Sequence, residues 1–229
     1  MLTVNGDRDV VERQLAGGEL SCPSCGGVLG GWGNAVTRPV RQLGGPDEVV
    51  TPRRSRCRAC MATHVLLPAQ LLSRRADAGA VIGRALEANA AGAGHRKIAE
   101  GLGRPVSTVR GWLRALARNA GRVRERFTAL AASLVTDPPL PAPAGSVFAD
   151  AVAAVAAAAA AAVILPGVGV VARWELASAV TCGLLLGPVV AGHEGNASRR
   201  LGGGALSRES SVTPGFPGVN AEEGAHVRG

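Results

Sequence analysis

The chain of 229 residues has no tyrosine, three phenylalanines and three tryptophans, so a large aromatic core is not available to it. Only one of its 25 basic residues is a lysine, Lys97, and the others are arginine. A GC-rich coding sequence favours arginine and alanine, so this bias is not all function. Cysteines number only five. The first 20 residues carry several charges and lack the apolar run of a secretory signal peptide. The cysteines are therefore expected to meet a reducing cytoplasm, where metal binding is favoured over disulfides. Glycine and proline are plentiful, at 32 and 14. Such a composition suits small modules joined by flexible parts better than one large fold.

Acidic residues are scarce where basic ones are dense. Residues 38–126 hold 18 basic and 6 acidic residues, while the remainder holds 7 and 11. A central segment this basic implies a polyanionic partner such as nucleic acid. The competing reading is a solvated arginine-rich surface.

Four cysteines fall in two pairs, Cys22-Pro-Ser-Cys25 and Cys57-Arg-Ala-Cys60. Each C-x-x-C turn holds two thiolates within reach of one ion. Two turns close a tetrahedral Zn²⁺ site with no open position, so the metal is expected to be structural. His64 could replace one thiolate, but packing or solvation is the simpler role for it. Cys182 has no pairing motif and reads as a small buried side chain. Between the pairs, strands are expected over 36–43 and 48–56 around the turn Gly44-Gly45-Pro46-Asp47, with a third over 61–67. Pro39 and Pro52 confine them to edges. Residues 19–68 thus read as a zinc ribbon that needs its metal to fold, after a polar lead-in over 1–18. The glycines of 26–33 are turn residues rather than a phosphate loop. Trp32 and Trp174 read as packing residues.

From residue 69 the apolar period becomes helical. Leu71, Leu72, Ala76, Val81, Ile82, Ala85 and Leu86 share one face, and Ala91-Gly92-Ala93-Gly94 ends that helix. Further helices are expected over 95–101, 106–118 and 123–134, with a break or bend at Gly121. Within 95–114 lies a helix-turn-helix pattern. Ala99 is the small residue at the crossing, and Gly103 supplies a turn tolerant of φ > 0. Ile98, Leu102, Val109 and Trp112 are the apolar anchors, and Pro105 starts the last helix. These anchors leave Val106, Ser107, Arg110, Gly111 and Arg114 facing outward, as a recognition helix does in the major groove. Arg110 and Arg114 could pair with guanine edges or phosphates. Ser107 and Thr108 could bond either, and Arg96, Lys97, Arg104, Arg118 and Arg122 read as backbone contacts. Helix pairs with alanine and glycine at these places also occur without DNA.

The helix-turn-helix domain, 69–136, ends in a proline-rich linker over 137–145. An alanine-rich helical segment follows over 146–191, with a first helix from 146 to 165 and a second over 172–186. Residues 151–172 are 22 without a charge, long enough to span a bilayer. Yet the alanine run 156–162 contributes little to insertion, and Pro166, Gly167 and Gly169 interrupt it. Phe148, Val152, Val155, Ala159 and Ala162 form a helix-pairing seam. The favoured reading is a small helical pairing or dimerisation module, through which (146–186) a homodimer could form. The alternative is an inner-membrane anchor with the arginine-rich half cytoplasmic. Residues 192–229 lack periodicity and read as disordered.

Cys-Pro-Ser-Cys-Gly-Gly, then Arg-Arg-Ser-Arg-Cys-Arg-Ala-Cys and the helix-turn-helix, resemble the N-terminal region of bacterial insertion-sequence transposases. The layout is also similar to a group of uncharacterised actinobacterial helix-turn-helix proteins. The resemblance covers about residues 19–120. It implies that these modules bind double-stranded DNA, with cutting left to a ribonuclease-H-like domain carrying three metal-binding carboxylates. Here the sequence departs: Asp137, Asp150, Glu175, Glu194, Glu209, Glu222 and Glu223 are scattered, and no run of buried strands gathers them. The expected fold is mainly α with a small β zinc ribbon. The expected function is a cytoplasmic, zinc-stabilised DNA-binding regulator or transposon-related recognition protein without catalytic residues. The alternative is a membrane-anchored interaction module.

Overall fold

The computed structural model describes residues 1–138, 141–164 and 172–187. Two cores organise them. The smaller gathers Val4, Val11, Leu15, Leu20, Cys22, Leu29, Cys57 and Leu66. The larger is built from helices in the rest of the chain. Among the described residues, six helices and a small sheet near the N-terminus make the fold mixed α and β.

The small core starts in the segment expected to be a polar lead-in. Residues 1–18 instead form a strand, β1 (Leu2–Val4), and a helix, α1 (Arg8–Ala16). Asp7 caps α1 by accepting from the Asp9 N–H at 2.8 Å. Val11 and Leu15, one turn apart, bury themselves on the sheet. So few apolar residues cannot sustain a helix alone; the sheet beside them does.

That sheet has the order β1-β6-β5-β2, with β2 Leu29–Asn34, β5 Arg53–Cys57 and β6 Thr63–Pro68. β5 runs antiparallel to both β2 and β6, and β1 adds parallel to β6. The third expected strand matches β6. β2 lies in Leu-Gly-Gly-Trp-Gly-Asn, where glycine hides any alternation, so its sequence reads as turn. The expected hairpin splits. β3 (Arg38–Val40) and β4 (Glu48–Val50) pair as a separate two-stranded ribbon, and Pro52 precedes β5. Val40 and Val50 of this ribbon are buried in the helical core, not in the small one.

The helix expected from residue 69 begins only at α2 (Gly79–Ala90). Leu71 and Leu72 are fully buried, but 69–78 is an irregular connector. Its backbone is used elsewhere: Arg41 N–H donates to Ala76 O, and Ala78 N–H to Arg41 O. Asp77, 2% exposed, accepts from Arg41 at 2.8 Å and from Arg104 at 2.6 Å. A helix through this stretch would forfeit all four bonds.

α3 (His95–Leu102) and α4 (Val106–Leu134) follow. α4 runs 29 residues unbroken. No bend at Gly121 is needed, because Ala120, Val123 and Phe127 around it are all buried on one side. α5 (Val147–Ile164) packs along α4. Val152, Val155, Ala159 and Ala162 of the pairing seam are buried in this chain's own core. Among the described residues α5 is the one helix long and apolar enough to cross a membrane, and more than half of it is buried inside the fold.

α6 (Arg173–Val180) ties the elements together. Glu87 of α2 accepts from Trp174 Nε1 at 3.0 Å and from Arg173 at 2.7 Å. Ser178 donates to Leu71 O at 2.6 Å, and Arg126 of α4 donates to Val180 O at 2.7 Å. Trp174 is buried as expected and lies flat against Gly83, where a Cβ would clash with the indole. The helix stop at Pro166 and Gly167 and the tail 192–229 lie outside the described residues.

Removing the buried carboxylate tests this architecture. Asp77→Ala should lower unfolding stability by about 2–4 kcal/mol in urea titrations. Arg104→Ala should cost more than Arg41→Ala, since the Arg104 side chain is 16% exposed and that of Arg41 37%.

Candidate metal centre and the outer face of helix α4

The two C-x-x-C turns meet at one end of the sheet. One precedes β2, and the other follows β5, its partner in the register Leu29↔Cys57. Tight turns present the sulphurs: Gly26, at φ 78°, follows the first pair, and Met61, at φ 61°, follows the second. Gly27 has to be glycine, because a Cβ there would lie 2.8 Å from Ala59 Cβ and 3.1 Å from Cys57 Sγ. All four sulphurs lie within 4.8 Å of one another. Cys22 and Cys60 are 3.7 Å apart, and Cys25 and Cys57 3.5 Å. A tetrahedral ion with bonds of about 2.3 Å requires sulphur separations of about 3.8 Å, so the donor set fits. Cys22 and Cys57 are buried, while Cys25 and Cys60 reach the surface.

Proton balance at the cluster favours a cation. Burial works against the Cys22 thiolate, but N–H groups of Ser24 and Cys25, with His64 and Cys60, outweigh it and bring its pKa to about 7. The Cys60 N–H is the main stabiliser of the Cys57 thiolate; with Ala59 and two neighbouring thiols it overcomes burial and gives about 6. The Ala62 N–H favours a Cys60 thiolate, yet Cys25, burial, Cys57 and Cys22 push that pKa up to about 12. Two sulphurs thus yield protons readily while a third keeps its own by donating to them. A divalent ion would take its place.

His64 is not a fifth member of the set. It is 7% exposed, and its Nε2 lies 3.3 Å from Cys22 Sγ. The amino nitrogen of Met1 lies 3.3 Å from Nδ1 on the other side. With Nδ1 accepting, Nε2 donates to the sulphur, as outer partners of metal ligands do. Its position on β6 opposite buried Ser55 sets this up, a signal that spacing from Cys60 alone does not carry.

The second cluster of expected residues lies on α3, the turn and α4. Gly103 takes φ 60°, ψ 37°, the left-handed conformation expected of it, and its N–H caps α3. Ile98, Ala99, Val109 and Trp112 are buried at 5%, 2%, 0% and 2%, so the anchors hold the two helices together. Val106, Ser107, Arg110, Gly111, Arg114 and Arg118 are exposed along one side of α4, and Thr108 is half-buried. Arg96 and Lys97 are exposed on α3. Arg104 is different. Its guanidinium is committed to Asp77, to Gln42 O at 3.2 Å and to Leu102 O at 3.2 Å. It holds the turn against the β3–β4 ribbon.

Among the described residues, the four cysteines are the one group of three or more metal-ligating side chains. Asp150 and Glu175 sit in the first turns of different helices, α5 and α6. Burial raises the Glu175 pKa.

What the geometry defines is a cluster of four cysteines, compatible with a metal site, followed by two helices on a tight glycine turn. Residues 22–112 match a family described as a domain of unknown function, DUF6431. The match runs from the first cysteine to Trp112 and so takes in the four clustered cysteines, α2, α3 and the first seven residues of α4. No curated protein and no solved structure matches the chain.

Removing the metal should melt the small core and spare the large one. Under strong chelation the helical circular dichroism from α2 to α5 should persist, while resonances of α1 and the sheet lose dispersion. The pH dependence has a defined sign. Cys22 and Cys57 lie below the ordinary thiol value of 9.0 in the fold, so the thiolate contribution to stability is full above about 9 and lost below about 6. Metal affinity should fall more than tenfold per unit below about pH 6, measured by competition with a chromophoric chelator.

Proposed function

We propose that this chain is a zinc-stabilised helix-turn-helix protein that binds double-stranded DNA, as a regulator or a transposon-related recognition protein. The observation that carries the reading is the outer side of α4. Arg110, Arg114 and Arg118 recur every four residues there, exposed, above a seam buried through Val109 and Trp112. A helix held this way presents its first turns to a major groove. Arg110 and Arg114 then reach base edges, with Ser107 and Thr108 at the helix start, Val106 offering an apolar contact and Gly111 leaving room for close approach. Arg96, Lys97 and Arg118 take phosphates. Arg104 acts indirectly, by fixing the turn.

Zinc is the ion proposed, because a closed set of four thiolates suits a redox-inert structural metal. It sets the ribbon and gives no open position for chemistry. The reading needs no membrane anchor, since α5 finds its apolar partner in α4, and no second copy through α5, for the same reason.

Selection of duplexes from a random pool, with metal-loaded and chelated protein in parallel, tests the reading. An enriched sequence is expected for the loaded protein, and its absence would reject the proposal. Arg110→Ala should relax base preference at one position by about 1–3 kcal/mol. Lys97→Ala should weaken all sequences alike and lower the slope of log K against log salt by about 1. Equal losses on specific and random DNA for both variants would sink this division of labour.

A further inference from the structure

Among the described residues, one tryptophan stays outside both cores. Trp32 is 51% exposed, whereas Trp112 and Trp174 are 2% and 9% exposed. The packing role expected for Trp32 is therefore not the one it has. It stands on an irregularity of β2: pairing with β5 runs to Gly31↔Ser55, shifts, and resumes at Asn34↔Arg53, with Gly33 at φ 87°. The Arg56 guanidinium lies over the indole, 4.6 Å from its centroid. Arg56 Nε also donates to the Met61 carbonyl at 3.3 Å, which holds the guanidinium in place. A stacked cation and indole are thus built in advance rather than left to chance.

Alternation along β5 extends this platform. Ser55 and Cys57 point inward and are buried, so Arg54 and Arg56 point outward. Arg58 joins them over Gly30, the partner of Arg56, where a Cβ would lie 3.5 Å from Arg58 Nε. Among the described residues, none of Arg54, Arg56 and Arg58 forms an ion pair, while Arg53 on the inward side is held by Glu12. The face offers a half-exposed indole with Arg56 over one side of it, and three arginines without an ion-pair partner among the described residues. An acidic peptide would use the charges and leave the indole idle. A duplex offers phosphates but hides the flat faces of its bases. A single strand offers both.

We infer that the outward face of β2 and β5 binds single-stranded nucleic acid, one base stacking on Trp32 beside Arg56 and neighbouring phosphates pairing with Arg54 and Arg58. Arg54 and Arg58 flank Arg56 in sequence, with Arg58 in the turn after β5 and its side chain over Gly30. This surface is separate from the outer side of α4 and does not depend on how that side functions.

The experiment is a titration of full-length, metal-loaded protein with a short oligothymidylate, followed by tryptophan emission and by anisotropy of the labelled strand. With the other two tryptophans buried, quenching reports on Trp32. Saturable quenching is expected. Trp32→Ala should abolish it and weaken binding about tenfold. The double variant Arg54→Ala, Arg58→Ala should lower the salt slope by about 1.4. Metal content of each variant verifies that the ribbon has folded. In an Arg110→Ala, Arg114→Ala background the single strand should still bind. Unchanged affinity in metal-loaded Trp32→Ala would overturn the inference. So would a duplex of equal length that binds this background as tightly and quenches as strongly.

Discussion

A buried carboxylate governs how the parts of this molecule meet. Asp77 lies in the irregular connector between sheet and helices, and both its oxygens are taken by arginines from elsewhere. Arg41 comes from just beyond β3, inserted between the two cysteine pairs, and Arg104 from the turn between α3 and α4. A carboxylate without partners at such a depth would cost several kcal/mol. The connector therefore reaches its place only when the inserted ribbon and the helical turn have reached theirs. Apolar burial acts in the same direction, since Val40 and Val50 of the ribbon enter the helical core.

The small core shows why sulphur is structural here. Eight residues make it, and two of them are cysteines whose sulphurs face the metal position. So little apolar area offsets only part of the chain entropy of α1, two hairpin turns and four strands. An ion that bound the folded form alone would supply the remainder through mass action. The hydrogen bonds around Cys22 and Cys57 suit such an ion, because they lower the cost of deprotonating its ligands. His64 does the same from outside the ligand set.

Parts of this arrangement could be read without coordinates because they rest on local chemistry. Gly103 was legible since glycine is the residue that takes a left-handed turn at least cost, and Cys22, Cys25, Cys57 and Cys60 because ligand spacing is a local property. Ile98, Val109 and Trp112 declared themselves through helical period. What escaped depends on contacts distant in sequence. Residues 1–18 look polar because α1 borrows its apolar partners from β2 and β6. Residues 69–78 look helical because Leu71 and Leu72 have the right spacing, and nothing local says that Asp77 will be claimed by Arg41 and Arg104. The same applies to Arg104, whose charge suggests a phosphate partner until Asp77 is placed beside it. The seam on α5 was visible, but its partner was not.

The unbroken course of α4 through Gly121 adds a continuous link between the helix-turn-helix and the α5–α6 end of the large core. At about 1.5 Å per residue, 29 residues make a rod about 43 Å long. Its first turns carry the exposed arginines, and its later turns lie against α5 and α6. Successive residues of an α-helix are offset by about 100°, so in one continuous rod the directions of early and late side chains are locked to each other. The azimuth of Arg110 and Arg114 is therefore set as much by alanine packing near Phe127 as by the anchors Val109 and Trp112 beneath them.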